Sequence, residues 1–263
     1  MAVGRGGSEA VRVPSVAMAA PRGESATFRD RCSALFERGW LAEQPAALQC
    51  QIVERGRLRP YGRGDVIARR GEPPGGIYGV VTGSVIHLFP QDPEAYPAHN
   101  GHPGSWFGEP SMLLREPRRV TVVANETPTT VLHLSLSSFE DIVAREPAHW
   151  RSFAALSAQH NDLLLRLLAD QRRATPKARI AARLLGLLDS DPPGCARPGQ
   201  RLGLTQSDLG QMTGMSRHTA NRVLLELAAL GILDVGYGHL VVRDVEGLRQ
   251  VACLQGEPTA LHA

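Results

Sequence analysis

Leu204-Thr205-Gln206-Ser207-Asp208-Leu209-Gly210-Gln211-Met212-Thr213-Gly214-Met215-Ser216-Arg217-His218-Thr219-Ala220-Asn221-Arg222-Val223-Leu224 reads as two short capped helices around a glycine turn. Thr205 is an N-cap with Asp208 at N3 in a variant of the capping box, and Leu204 and Leu209 stand where a hydrophobic staple would. Gly214 supplies the turn, and Ser216 caps the second helix. At about 100° per residue, Thr219, Ala220, Val223, Leu224, Leu227 and Leu230 share one arc, which has to be buried. Arg217, His218, Asn221 and Arg222 share the opposite arc. A solvated polar helix face is the ordinary alternative. The glycine turn, the second cap and the flanking elements favour a helix-turn-helix whose reading helix spans 217–230 and offers donors to base edges in a major groove.

The neighbouring sequence completes a DNA-binding unit. Thr175-Pro176 gives an N-cap and a proline at N1, which predicts a helix to about Leu188 through Ile180, Leu184 and Leu187. Ser190 to Gly194 stops it. Ile232 to Val235, the Gly236-Tyr237-Gly238 turn and Leu240 to Val242 predict a β-hairpin, so that helix, helix-turn-helix and hairpin form a winged helix.

Upstream, residues 149–172 space Phe153, Leu156, His160, Leu163 and Leu167 by alternating threes and fours, with Leu164, Leu165 and Leu168 beside them. That pattern predicts one long helix that covers its own domain and dimerises, through Leu156, His160, Leu163, Leu164 and Leu167. Packing wholly within one chain is the alternative. Before it, Asp65 to Ala68, Ile77 to Val81, Ser84 to Phe89, Arg119 to Ala124 and Thr129 to Leu134 are short β-rich runs. Turn signals at Gly71 to Gly76, at Gly83 and at Pro90 to Gly104 separate them, which suggests a small antiparallel barrel or sandwich. Residues 26–55 read as helical.

The 263 residues suffice for two domains, and the 43% hydrophobic and 21% charged content is that of an ordinary globular chain. No apolar run is long enough to span a bilayer. The first 25 residues lack a continuous apolar region, so they read as a flexible arm rather than a signal peptide. The net charge of +3 does not announce nucleic acid, but residues 166–263 hold 12 basic and 9 acidic side chains against 8 and 11 in 61–165. The basic excess lies with the helix-turn-helix. Cys32, Cys50, Cys195 and Cys253 show no metal-ligand spacing, which fits a reducing cytoplasm and no metal. His99 and His102, in a Pro/Gly/Asn-rich stretch, are expected on the solvated surface. No nucleophile–base constellation, Walker motif or nucleophile elbow points to an enzyme.

The order of these parts, together with Met215-Ser216-Arg217-x-Thr219-x-x-Arg222, resembles the Crp/Fnr family of bacterial transcription regulators from about residue 30 to 250. Phe107-Gly108-Glu109-Pro110-Ser111-Met112-Leu113, followed by Pro117-Arg118-Arg119-Val120-Thr121, resembles that family's phosphate-binding cassette. The resemblance implies an α+β chain with an N-terminal antiparallel β-roll, a long dimerisation helix and a C-terminal winged helix-turn-helix. Its divisions are an arm at 1–25, an effector-binding β-roll at 26–145, the dimerisation helix at 146–175, the DNA-binding domain at 176–250 and a tail at 251–263. It implies DNA contacts from Ser216, Arg217, His218, Thr219, Asn221 and Arg222. Implied partners are an operator duplex, a second copy of the chain and RNA polymerase.

In the family's nucleotide binders the Glu after the Gly binds a ribose hydroxyl, and an Arg followed by Ser binds the phosphate. Glu109 and Arg119, with Gly108, Arg118 and Thr121, are therefore the expected site for a nucleotide-like anionic effector. Such chemistry suits an arginine fork and free helix N–H groups. No cofactor is required; a cyclic nucleotide is the implied effector. Val120 follows Arg119 where the family has Ser, and Leu164 and Leu165 stand where the cyclic-AMP receptor contacts adenine, so cyclic-AMP sensing of the usual form is not implied. Two other readings stay open: a regulator whose β-roll pocket is empty because Glu109 and Arg119 pair with each other, and a cyclic-nucleotide-binding interaction module.

Overall fold

The structure is a computed structural model that describes residues 25–89, 96–188 and 198–253. The 1–24 part of the expected arm, the Ser190 to Gly194 stop signal and Cys195 lie outside the described residues.

The described residues open with α1 (Ser25–Arg31), α2 (Ser33–Glu37), a 3-10 turn at Trp40–Glu43 and α3 (Ala46–Arg55). Eight strands follow: β1 (Arg57–Tyr61), β2 (Val66–Ala68), β3 (Gly76–Thr82), β4 (Val85–Phe89), β5 (Tyr96–Gly101), β6 (Trp106–Phe107), β7 (Thr121–Ala124) and β8 (Thr129–Ser135). Helix α4 (Glu109–Leu114) interrupts them between β6 and β7. They form two antiparallel sheets, ordered β1-β8-β3-β6 and β2-β7-β4-β5.

The period of two explains how these sheets make a roll. Tyr78 and Val80 of β3, Phe107 and Val131 point inward to meet Ile67, Ala68, Val85, Val122 and Ala124 of the other sheet. The alternate residues Ile77, Val81, Trp106, Leu132 and Leu134 face outward and are covered by Leu35, Leu41, Leu48, Ile52, Phe139, Ile142, Phe153 and Leu156 of the helices. Gly79 has to be glycine, because a Cβ there would lie 2.7 Å from the Trp106 ring.

β1, β5 and β6 are strands that the sequence pattern does not announce. β5 lies within the stretch expected to be turn, and His99 on it is mostly shielded rather than solvated. His102 is half-buried as well.

Helix α5 (Leu136–Arg145) leads into α6 (His149–Gln171), 23 residues long. Its first half is welded to the β-roll through Phe153 and Leu156, both buried. Its second half is bare: Leu164, Leu165 and Leu168 are more than half exposed. Leu156 is therefore a core residue of its own chain, and the exposed apolar stripe of α6 runs through Leu164, Leu165 and Leu168.

The C-terminal unit contains α7 (Pro176–Leu188), β9 (Gln200–Leu202), α8 (Gln206–Thr213), α9 (Arg217–Ala229), β10 (Leu233–Gly236), β11 (His239–Val242) and α10 (Val245–Cys253). Thr175 accepts the Ala178 N–H at 3.1 Å, as a cap before Pro176 should. The hairpin gains a third strand, β9, in the order β10-β11-β9. One core joins Ile180, Leu184, Leu209, Val223, Leu224, Leu227, Leu233, Val242 and Leu248. α10 carries this core into the segment expected to be tail. α8 lies alongside β5, and Gln171 at the end of α6 donates to the Met212 carbonyl at 2.8 Å.

Candidate nucleic-acid interface and effector pocket

The reading helix is built as its sequence predicts. Thr205 accepts the Asp208 N–H at 3.1 Å and Asp208 accepts the Thr205 N–H at 2.9 Å, closing the capping box. Gly214 turns the chain in the left-handed region at φ +65°. α8 and α9 pack so closely beyond that turn that a Cβ on Gly210 would sit 2.8 Å from the Met215 carbonyl. Ser216 caps α9 by accepting the Thr219 N–H at 3.1 Å.

Ala220, Val223, Leu224 and Leu227 are buried on one side of α9. Arg217, His218 and Arg222 are exposed on the other, with Asn221 half-buried between them. The expected arc fails at Leu230, which is 62% exposed beyond the helix end, and Thr219 is only half-buried. Ser216 and Thr219 have their hydroxyls 3.0 Å apart and serve the cap.

Sequence pattern did not point to Glu226. It accepts from Lys177 at 2.8 Å and from Arg222 at 3.1 Å, tying the reading helix to α7. The Lys177 hydrogen bond, with both cations nearby, holds the Glu226 carboxyl below its ordinary value. The i, i+4 spacing of Arg222 and Glu226 is the one signal that could have found half of this cluster.

The second cluster lies in the β-roll. Phe107 ends β6, Gly108 turns at φ +101°, and α4 opens on Glu109, which is 1% exposed. Arg118 is buried too. Its guanidinium crosses the backbone of Gly76 and Gly108, donates to the Gly76 carbonyl at 3.2 Å, and lies 5.2 Å from the centre of the Tyr78 ring. A Cβ on Gly108 would sit 3.0 Å from Arg118 Nη1, so the glycine makes room for the cation. Among the described residues no carboxylate pairs with this buried guanidinium, an expensive arrangement unless an anion joins it.

Arg119 is not in this site. It is two-thirds exposed and pairs with Glu116 at 2.7 Å. Thr121 also faces away, its hydroxyl accepting the Arg70 N–H at 3.1 Å. The inward-facing member of the Arg-Arg pair is Arg118, so the residue that follows the buried arginine is Arg119 and not Val120. Glu109 and Arg119 do not lock each other. The partner of Glu109 is His160 of α6, whose Nδ1 lies 2.6 Å from Oε1. Oε2 of Glu109 is buried without a partner.

His160, expected on a dimer seam, thus reaches into the β-roll. Leu163 and Leu167 are half-buried, whereas Leu164 is 52% exposed. Among the described residues, no group of His, Cys, Asp and Glu is placed to hold a metal ion, and no helix is long and apolar enough to cross a membrane.

Comparison with known proteins matches both parts of the chain. Residues 178–251 match the Crp-like helix-turn-helix domain, and residues 58–146 match the cyclic nucleotide-binding domain. The chain is 32% identical over 219 residues to the cyclic AMP receptor protein of Thermus thermophilus, covering 81% of this chain and 94% of that protein. Two solved structures share the fold. One is a protein of Ruegeria pomeroyi, with a TM-score of 0.63 and 21% identity over 85% of this chain and 98% of that one. The other is a CRP/FNR-family transcriptional regulator, also from Thermus thermophilus, with a TM-score of 0.61 and 24% identity over 76% and 100%.

Proposed function

The chain belongs to the Crp/Fnr family of transcription regulators, and from that premise we propose that it reads a two-part operator as a homodimer under the control of a nucleotide-like anion. The DNA-reading half rests on one observation, the capped α8–Gly214–α9 unit that leaves Arg217, His218 and Arg222 on an open face. Arg217 and Arg222 contact bases, guanine first, while His218 and Asn221 read adjacent positions or phosphates. Ser216 and Thr219 present the helix end to the backbone. The dimer forms along the bare half of α6, through Leu164, Leu165 and Leu168. In the β-roll, Arg118 takes the anion and Glu109 a hydroxyl. RNA polymerase is the further partner, and the cytoplasm the compartment.

Footprinting of the full chain on genomic fragments tests this reading. The expected protection is a pair of half-sites about one helical turn, roughly 34 Å, apart, with affinity falling steeply as salt rises. Protection of a single half-site by a monomeric species would overturn the homodimer.

The contact between His160 and Glu109 favours a second reading, in which the β-roll is satisfied internally and the regulator needs no ligand. The buried guanidinium of Arg118, left without a carboxylate, weighs against it.

A further inference from the structure

β4 and β5 place His87 and His99 opposite each other in register, and their rings are 5.8 Å apart. His87 also meets Phe107 edge to face at 5.4 Å. Phe107 stacks on Tyr78 at 5.2 Å, and Tyr78 lies under the Arg118 guanidinium. One continuous aromatic floor therefore runs from the buried cation to the pair of imidazoles. Glu109 follows Phe107 by two residues, and its partner His160 is close enough for its charge to act on His87.

Three buried atoms along this floor have no hydrogen-bond partner: Glu109 Oε2, His87 Nδ1 and His99 Nδ1. The His99 main chain beside the His87 ring raises its basicity, and burial outweighs that effect. In the tautomer that carries its proton on Nε2, an imidazole offers Nδ1 as an acceptor. Burial keeps both imidazoles uncharged, so each ring has one nitrogen free to accept and one that donates. Leu164 and Leu165 of α6 are more than half exposed and carry no group that can hydrogen-bond a base.

We propose that His87 and His99 form the base subsite of this pocket, accepting hydrogen bonds from the exocyclic amino group of a purine nucleotide. The proposal rests on the effector reading above, in which Arg118 holds the phosphate and Glu109 the ribose hydroxyl. It moves base recognition from the long helix to the β4–β5 hairpin. A base lying on this floor would cover Phe107, satisfy Nδ1 of both rings, and leave the contact between His160 and Glu109 Oε1 intact.

Calorimetry on the full chain with cyclic AMP, cyclic GMP and cyclic IMP tests it, because cyclic IMP lacks the exocyclic amino group. The expected result is that an amino-bearing nucleotide binds about tenfold tighter than cyclic IMP. His87→Phe and His99→Phe, which keep the ring and its volume, should each bring that nucleotide toward the cyclic IMP level. Arg118→Ala should abolish binding of all three. Equal affinity of the wild type for all three nucleotides overturns the base subsite without any variant. Binding that needs Arg118 but keeps its base preference in both histidine variants overturns the base subsite while the effector reading survives. No binding of any nucleotide to the wild type overturns both.

Discussion

At the scale of single residues, two arginines adjacent in sequence have opposite fates. Arg118 is buried against Gly76, Gly108 and Tyr78, whereas Arg119 lies outside and pairs with Glu116. We expect Arg118→Ala to remove any response of DNA binding to a nucleotide, and Arg119→Ala to leave that response intact. Fluorescence anisotropy of a labelled operator, with and without nucleotide, separates the two; a loss with Arg119→Ala alone would reverse the assignment. On the DNA side, Arg222→Ala should cost roughly 1–3 kcal/mol per half-site and relax specificity at one base pair. An equal loss on random and specific duplexes would make Arg222 a phosphate contact. Glu226 restrains Arg222 in the free protein, so Glu226→Gln is expected to strengthen non-specific binding at low salt.

The element scale shows where the sequence was readable and where it was not. α8, α9 and the wing were legible because capping, a glycine turn and a clean amphipathic period agree. β1 and β5 were not, because Arg57–Tyr61 contains Pro60 and Tyr96–Gly101 reads Tyr-Pro-Ala-His-Asn-Gly, which is turn composition. Both are edge strands, where a proline costs no ladder hydrogen bond. Composition therefore misled at the proline-bearing edges, while β2, an edge strand without proline, was announced as Asp65 to Ala68. The Glu109–His160 pair, 51 residues apart, carries no local signal at all. On α6 the heptad spacing found the helix but not which leucines stay bare, since the β-roll takes Phe153 and Leu156 first. Placing Asp at Leu164 and Leu168 should yield monomers in sedimentation velocity with an unchanged circular dichroism spectrum. Asp at Leu156 should instead unfold the β-roll, because it buries a carboxylate without a partner.

For the whole molecule, acid is the expected weak point. Burial lowers His87 to about 4, with the His160 charge adding to the effect and the His99 main chain opposing it. Burial lowers His133 to about 4 as well, against the Gly75 carbonyl that its ring donates to. Both rings are neutral in the folded and unfolded chain above about pH 6.5. As pH falls from there toward 4, the unfolded chain takes up protons that the folded one refuses, so stability declines across that window. The loss is on the order of 3 kcal/mol for a ring shifted as far as His87. Melting temperatures should therefore drop between pH 6.5 and 4, and His87→Phe should flatten the slope. An unchanged slope in that variant would show that His87 protonates freely in the folded chain. The contact that ties Arg222 to Glu226 has one more consequence. Its other arm, Lys177, is the only lysine of the 263 residues, and its Nζ is 2.8 Å from Glu226. An amine-directed acylating reagent accordingly finds a single side-chain target, at the foot of the reading helix. The rate at which that target is marked, followed by mass spectrometry with and without operator, measures occupancy of the helix in a chain carrying no engineered label.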